Sequence, residues 1–153
     1  MATRAALATT DLGRIAGRRL ISTHPRATVQ EVGEQMLAEG VGALVVLDAG
    51  ALVGILSERD IVRRVVAKKL DPATTLVSEV MTSPVRTVTE SVSTHTCLEL
   101  MHKGAFRHLP LVDEKGTVIG MLSVRDLLRH RIEELDQKNA DLMGFLSIDG
   151  PGG

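Results

Sequence analysis

An internal repeat is the feature of this sequence that most constrains its fold. The heptapeptide Gly54–Asp60 (GILSERD) returns 66 residues later as Gly120–Asp126 (GMLSVRD). Two further blocks align at a spacing of 65 residues, Leu44–Asp48 with Leu109–Asp113 and Thr28–Met36 with Ser93–Met101. The one-residue difference in spacing falls in the turn that follows Asp113. Three aligned blocks in the same order predict that the chain folds as two copies of one unit.

Each copy has the pattern of a βαββα unit. In the first copy, Thr28 and Glu31 have capping-box spacing at the start of a helix that is expected to end at Gly40. The continuous apolar run Val41–Leu47 predicts a strand buried on both faces. A tight turn follows, and Leu52–Leu56 predicts the antiparallel return strand.

The first copy closes with a second helix, which Ser57 caps and which is expected to run from Glu58 to about Lys68. The second copy repeats these signals at Ser93, Lys103–Gly104, Leu109–Val112, Val118–Leu122 and Ser123. Val77–Met81 predicts a short helix that leads into it. Because a unit of about 60 residues buries little apolar area alone, we expect the two copies to pack sheet against sheet as one body.

The expected domain organisation has five parts. These are an N-terminal extension over 1–18 with a short helix outside the repeats, a first repeat over 19–70, a linker over 71–76, a second repeat over 77–132 and a C-terminal helix over 133–149.

With these features the sequence resembles the CBS-domain pair (cystathionine β-synthase domain, or Bateman module). The resemblance rests on the two heptapeptides, on Leu109–Asp113 and on Val80–Pro84 (VMTSP), and it covers about residues 20–132. The chain looks most like the small stand-alone bacterial members. The resemblance implies an α/β fold of two βαββα units with pseudo-twofold symmetry. It also implies clefts for an adenine nucleotide of the AMP, ADP or ATP class, with NAD or S-adenosylmethionine as further possibilities and no obligatory cofactor.

The resemblance assigns ligand roles to the serine and aspartate of each heptapeptide. Asp126 would hold the ribose hydroxyls and Ser123 the phosphate, with Asp60 and Ser57 as their counterparts. A serine at a helix N-cap followed by an acid in the first turn suits such a site, because unpaired backbone N–H groups lie there. The same Ser-x-x-Asp pattern is also an ordinary helix cap, so both interpretations stay open.

The two copies differ where phosphate is expected. Arg107 and His108 precede the central strand of the second copy and suit a phosphate group. Gly42 and its neighbours hold the aligned place in the first copy, which is neutral. The first cleft is therefore empty, holds an uncharged adenosine-like group or borrows charge from the other copy. Alternatively, Arg107 and His108 form an edge pair packed against Asp113 or Glu114.

Other candidate contacts are less determined. Arg59 and Arg125 either face the ligand or pair with an acid on a helix surface. No Trp or Tyr is present to stack on a base, so aliphatic residues of the segment before each repeat are the candidates. They are Met81, Thr82 and Val85 for the second site, with Val118 or Ile119 behind, and Leu20, Ile21 and Thr23 for the first. Any of these apolar residues is equally explained as core.

Several function classes find no support in the sequence. It has no His-Glu-x-x-His motif, P-loop, Gly-x-Ser-x-Gly or Gly-x-Gly-x-x-Gly, so we expect neither an enzyme nor a metal site. Cys97 aligns with an apolar helix position and is read as a packed thiol. The formal net charge of −1 offers no general attraction to nucleic acid. No apolar run is long enough to span a membrane, and a cytoplasmic location is expected.

The C-terminal segment carries a heptad pattern. Leu128, Leu135 and Leu142 are spaced by seven residues, and Ile132, Asn139 and Leu146 follow them by four. The pattern predicts a two-stranded coil in a homodimer, which the Gly150–Gly153 tail would end. A single helix folding back onto the module is the alternative.

The function expected from the sequence is that of a regulatory module that senses an adenine nucleotide and acts on an effector protein outside this chain. The alternative is a dimeric interaction scaffold that needs no ligand and acts through the C-terminal helix.

Overall fold

The structure, a computed structural model, describes residues 11–17 and 19–148. It contains two βαββα units, as the repeat predicts. The first unit comprises β1 (Ser22–Thr23), α2 (Val29–Glu39), β2 (Ala43–Asp48), β3 (Ala51–Ser57) and α3 (Glu58–Ile61). The second comprises β4 (Val88–Thr89), α5 (Thr94–Gly104), β5 (His108–Val112), β6 (Val118–Ser123) and α6 (Val124–Ile148). Short helices α1 (Asp11–Ile15) and α4 (Val77–Val80) precede them.

Each unit forms a three-stranded sheet with the same topology. β1 is parallel to β2 and β2 is antiparallel to β3, and the order β4-β5-β6 repeats this arrangement. The register shifts between Val46 and Leu47 in one sheet and between Leu111 and Val112 in the other, which are aligned positions of the repeat. The two units therefore share even their irregularities.

The helix caps agree with the sequence except at one end. Thr28 and Glu31 form the expected capping box, and Gly40 closes α2 in the left-handed conformation at φ 65°. Helix α5 begins at its Ser93 cap but ends on Ala105, which adopts φ 54°. Gly104 stays helical, and a Cβ at this position would overlap the ring of the following phenylalanine. Glycine is required there for space.

The helix expected from Glu58 to about Lys68 is shorter than predicted, and only its first turn is α-helical. The α-helical turn α3 gives way to a π-helical turn over Val62–Val66. Its signature is the pair of five-residue hydrogen bonds from Ala67 N to Val62 O at 2.9 Å and from Leu70 N to Val65 O at 3.0 Å. With this turn Val65 is buried in the core.

The short helix before each unit packs into the core of the other unit. Val77 and Val80 of α4 are buried in the first core, and Leu12 and Ala16 are buried in the second. Burying one such side chain stabilises the fold by roughly 1.5–3 kcal/mol, so this exchange ties the two units together. Residues 1–10 and 18 of the expected N-terminal extension lie outside the described residues.

Helix α6 runs without a break from the second unit through Ile148. Leu135, Leu142 and Leu146 remain 47, 58 and 58 % exposed, so the helix does not fold back onto the module. The expected helix end at 149 and the glycine tail fall outside the described residues. Within the described part of the chain, no helix combines the length and the apolar character needed to cross a membrane.

Candidate functional site

Two cavities lie where the repeats meet, and each contains the aspartate of one heptapeptide. The first, of about 630 Å³, is called the Asp60 cavity, and the second, of about 390 Å³, is called the Asp126 cavity. Residues expected in the first site and residues expected in the second site together line the Asp60 cavity. They are Ser57, Arg59, Asp60, Thr82, Val85, Arg107 and His108. Residues expected in both sites also line the Asp126 cavity, namely Ile21, Arg107, His108, Ser123, Arg125 and Asp126.

The structure groups the base-contact candidates in the opposite way to the sequence expectation. Thr82 and Val85 were assigned to the second site with Asp126, but they line the cavity of Asp60. Ile21 was assigned to the first site but lies beside Asp126. The assignment was wrong because α4 carries the chain across to the first unit, where Thr82 exchanges backbone hydrogen bonds of 2.8 and 3.1 Å with Ile55.

The remaining base-contact candidates line neither of these cavities. Met81 packs over Gly54 and faces a third cavity between the Gly50–Val53 and Lys115–Thr117 turns. Thr23 pairs with Val46 in β1. Ile119 packs against the second core, and neither Leu20 nor Val118 is among the described lining residues.

Asp60 is held in place by several donors. Its Oδ2 accepts hydrogen bonds from the backbone N–H and the hydroxyl of Ser57, both at 3.0 Å. Its Oδ1 accepts one from the Thr82 hydroxyl at 3.3 Å and lies 3.9 Å from Arg64 Nη2. The helix-cap interpretation is therefore realised here. The same carboxylate also anchors the segment that leads into the second repeat, because Thr82 belongs to that segment.

Asp126 has fewer protein partners than Asp60. The Ser123 hydroxyl donates to its Oδ2 at 2.8 Å, and the backbone N–H of Asp126 donates to Ser123 Oγ at 3.1 Å. In residues 11–17 and 19–148, no hydrogen-bond donor or ion-pair partner is recorded for Oδ1. One oxygen of this carboxylate is thus available to a ligand hydroxyl at the N-terminus of the long helix α6.

Arg107 and His108 line both cavities. They are not the edge pair considered as an alternative, since Asp113 Oδ1 instead accepts bonds from the backbone N–H groups of Lys115 and Thr117. Burial lowers the pKa of His108, with Arg107 adding to the effect, while Glu58 and Asp126 oppose it. The first cleft, which looked neutral from the sequence, therefore borrows cationic charge from the second copy.

Arg59 makes a structural contact across the repeats. Its Nη1 donates to the carbonyl of Ala105 at 2.9 Å, at the C-terminus of α5. It also lines the Asp60 cavity, so the two interpretations of this residue are compatible. Arg125 is exposed on the rim of the Asp126 cavity.

Both cavities are more basic than the sequence candidates alone suggest. Arg64, which is not among the sequence candidates, reaches the carbonyls of Val80 and Met81 at 2.9 Å. The Asp60 cavity is lined by two acids, Glu58 and Asp60, and by the cations Arg59, Arg63, Arg64, Arg86, Lys103 and Arg107. The Asp126 cavity is lined by one acid and by Arg19, Arg107, Arg125 and Arg129. Both cavities suit an anionic ligand.

The position of His108 gives a testable pH dependence. Its pKa in the folded state lies below its ordinary value of 6.5, so the unfolded chain binds the proton more readily. The stability that the protein gains from keeping His108 uncharged is present above pH 6.5, and it is lost as the pH falls through the folded-state pKa. We expect His108→Gln to lose less thermal stability than the parent between pH 7.5 and 5.5. His24→Gln, at an exposed site, is the control, and equal losses in all three proteins would contradict the assignment.

Comparison with known proteins identifies the family. The CBS domain profile matches residues 12–67 and 77–133, and the chain belongs to the CBS-domain family. A protein of Methanopyrus kandleri is 32 % identical over 77 % of this chain. A 17.7 kDa protein of Acidianus ambivalens is 35 % identical over 78 %. The chain spans 61 % of the first relative and 72 % of the second.

Solved structures agree with the fold. A CBS-domain protein of Burkholderia ambifaria superimposes with a TM-score of 0.75 at 34 % identity, over 87 % of this chain and 95 % of that one. A CBS-domain protein of Pyrobaculum aerophilum, solved in complex with AMP, gives 0.68 at 31 % identity, over 74 and 86 %. CBSX2, also in complex with AMP, gives 0.63 at 25 % identity, over 75 and 89 %.

Proposed function

We propose that this chain is a regulatory module that binds an adenine nucleotide in the cavities between its two CBS repeats. The observation that carries the proposal is the composition of each cavity, which is lined by a serine and an aspartate together with the shared pair Arg107 and His108. Two relatives of the same fold solved with AMP support the choice of ligand class. CBS domains are generally regulatory modules, and the matching family is not a catalytic one.

The proposed roles follow from the chemistry of the groups. A carboxylate accepts hydrogen bonds from the two vicinal hydroxyls of a ribose, and we assign this role to Asp126, whose Oδ2 already accepts from Ser123 and whose Oδ1 is free within the described residues. The Arg107 guanidinium binds phosphate oxygens in a bidentate manner. His108 adds a second donor. Because no Trp or Tyr exists in the chain, aliphatic groups such as Val85 and Ile21 flank the base.

The positive charge around the cavities limits the kinds of ligand that can bind. S-adenosylmethionine carries a sulfonium cation, which the arginines around both cavities would repel. A nucleotide with one or more phosphates is attracted by the same groups. We therefore place AMP, ADP and ATP first, NAD(H) next and S-adenosylmethionine last.

The hydrogen bonds near the boundary between the repeats suggest how ligand binding changes the arrangement of the repeats. Arg59 donates to the carbonyl of Ala105 in the second unit, while Asp60 and Arg64 bond to the segment 80–82 that leads from the first unit into the second. A ligand that competes for these groups changes the contacts that fix one repeat against the other. Binding energy then shifts the angle between the repeats, and an effector protein outside this chain reads that angle.

A dye-based thermal-shift screen tests the proposal with AMP, ADP, ATP, NAD(H) and S-adenosylmethionine. A ligand present at 100 times its Kd adds about 2.7 kcal/mol, which raises Tm by roughly 5 to 10 °C in a protein of this size. A saturable shift with one adenylate supports the sensor function. The absence of any shift would contradict it and favour the ligand-independent scaffold.

We further propose that α6 joins two copies of the chain. Leu128, Ile132, Leu135, Leu142 and Leu146 are exposed at heptad spacing along this helix. The pattern is that of a two-stranded coil, and burying it requires a second apolar face.

The dimer is tested by light scattering on the parent and on Leu135→Glu. A charge in the seam is expected to convert the dimer into a monomer, because a carboxylate would be buried without a partner. Ala140→Glu, on the outer side of the predicted coil, should remain dimeric. A monomeric parent, or dimeric Leu135→Glu, would refute the proposed interface.

A further inference from the structure

Three metal-ligating side chains converge where α1 meets α6, and none of them lines either nucleotide cavity. They are Asp11, His130 and Glu134, and their ligand atoms lie within 4.8 Å of one another. We propose that these residues bind a divalent transition-metal cation such as Zn²⁺ and so clamp α1 to α6. The set is not visible in the sequence, because Asp11 lies more than a hundred residues before His130 and Glu134.

The donor set and its spacing suit such a cation. One imidazole nitrogen and two carboxylate oxygens leave a fourth position for water in a tetrahedral site. Ligand atoms at the usual zinc distances are separated by about 3.3 Å in that geometry. His130 Nε2 and Glu134 Oε1, one helical turn apart on α6, are already 3.5 Å apart. A carboxylate oxygen of Asp11 lies within 4.8 Å of the ligand atoms of both residues.

The state of His130 is the second observation. Its Nε2 is buried and has no hydrogen-bond partner among the described residues, and the contact with Glu134 is not a hydrogen bond. A buried polar atom without a hydrogen-bond partner is unfavourable and calls for an explanation, of which a bound ion is one. Coordination would satisfy this nitrogen.

Two arginines hold the carboxylates without occupying both oxygens. Arg131 Nη1 donates to Glu134 Oε2 at 3.2 Å, while Oε1 is the atom that faces His130. Arg14 bonds to Asp11 Oδ1, and the other oxygen of that carboxylate can turn toward the ion. The arginines thus orient the two ligands. They also lower the local negative charge, so a purely ionic cluster without metal is the competing outcome.

The chain contains a matched control for this site. His95 and Glu99 form the same pair one helical turn apart on α5, with Nε2 and Oε1 separated by 3.7 Å. Their side chains are 81 and 50 % exposed, and no third ligand joins them within the described ranges. A two-ligand pair of this kind is not expected to hold a metal ion firmly.

Calorimetric titration of the tag-free, chelator-treated full chain with Zn²⁺ tests the proposal. We expect one ion per chain, with affinity reduced at least about 10-fold in His130→Gln and Glu134→Gln and unchanged in His95→Gln. Asp11→Asn gives a third, milder variant that leaves the core of α6 intact, and circular dichroism checks that each variant is folded. Nucleotide binding is measured in parallel, since it does not depend on this site.

A parent chain that binds no Zn²⁺ would overturn the proposal and leave the ionic cluster as the explanation. Equal losses in His95→Gln and His130→Gln would overturn it as well, since they would show only nonspecific surface binding. Zinc should also raise Tm in the parent but not in His130→Gln, because the ion ties α1 to the second core.

Discussion

Replacing Asp126 by asparagine is expected to weaken adenine-nucleotide binding by about 10- to 100-fold, as one charge-assisted hydrogen bond to a ribose hydroxyl is worth roughly 1.5–3 kcal/mol. The amide oxygen still accepts the bond from Ser123, so the helix cap and the folded state are preserved. Asp136→Asn, at an exposed position on the same helix, is the matched control. Titration calorimetry of the three proteins gives the ratio of affinities.

An Asp60→Asn variant distinguishes the contributions of the two cavities to nucleotide binding. Combined Asp60→Asn and Asp126→Asn replacements remove the proposed ribose acceptor from both. Binding that persists at parental affinity in the double variant would show that the ligand lies elsewhere. If one single variant alone abolishes binding, only that cavity is occupied.

Gly120→Ala is expected to destabilise the protein by about 1–3 kcal/mol and to lower Tm by several degrees. A Cβ at this position of β6 would lie 2.7 Å from the Cβ of Ala16 and 3.1 Å from its carbonyl oxygen. Since backbone as well as side chain is in the way, the segment after α1 must shift. The variant therefore measures how firmly α1 is seated on the second repeat.

Gly33→Ala provides the control of opposite sign. This glycine lies within α2, and nothing stands within 4 Å of a Cβ built there. Alanine is a better helix former than glycine by up to about 1 kcal/mol, so Gly33→Ala should raise stability. Chemical denaturation of both variants makes the comparison. A Gly120→Ala protein as stable as the parent would contradict the close approach of Ala16 to β6.

The local structure was largely readable from the sequence, because local signals determine it. The Thr28–Glu31 capping box and the turn between the two apolar strands predicted α2, β2 and β3 within a few residues. The repeat then supplied the second unit. The π-helical turn after Ile61 was not predictable, because it reflects how Val65 reaches the core and not a preference of the local sequence.

The sites were only partly predictable, because they depend on the path of the chain between units. Ser57, Asp60, Ser123 and Asp126 were identified by motif, and the structure places each at a cavity. The base-contact candidates Thr82, Val85 and Ile21 were assigned to the wrong cavities, because α1 and α4 each pack on the opposite repeat. Much of the basic lining was also missed, since only Arg59, Arg107 and Arg125 among these cations were candidates. A net charge of −1 says nothing about where the individual charges lie, and these arginines come from scattered positions.

The sharing of Arg107 and His108 between the cavities has a consequence for regulation. A phosphate bound in one cavity would pair with the Arg107 guanidinium, which also lines the other cavity. Occupation of one cavity is therefore expected to reduce the affinity of the other for a second anionic ligand.

A crystal structure of the chain with its adenine nucleotide tests the central claim most directly. We predict ribose hydroxyls within hydrogen-bond distance of Asp126 or Asp60, and phosphate oxygens at Arg107. A nucleotide bound in the third cavity, between the Gly50–Val53 and Lys115–Thr117 turns, would contradict the assigned site. Crystals that contain no nucleotide at millimolar concentration would contradict the sensor function itself.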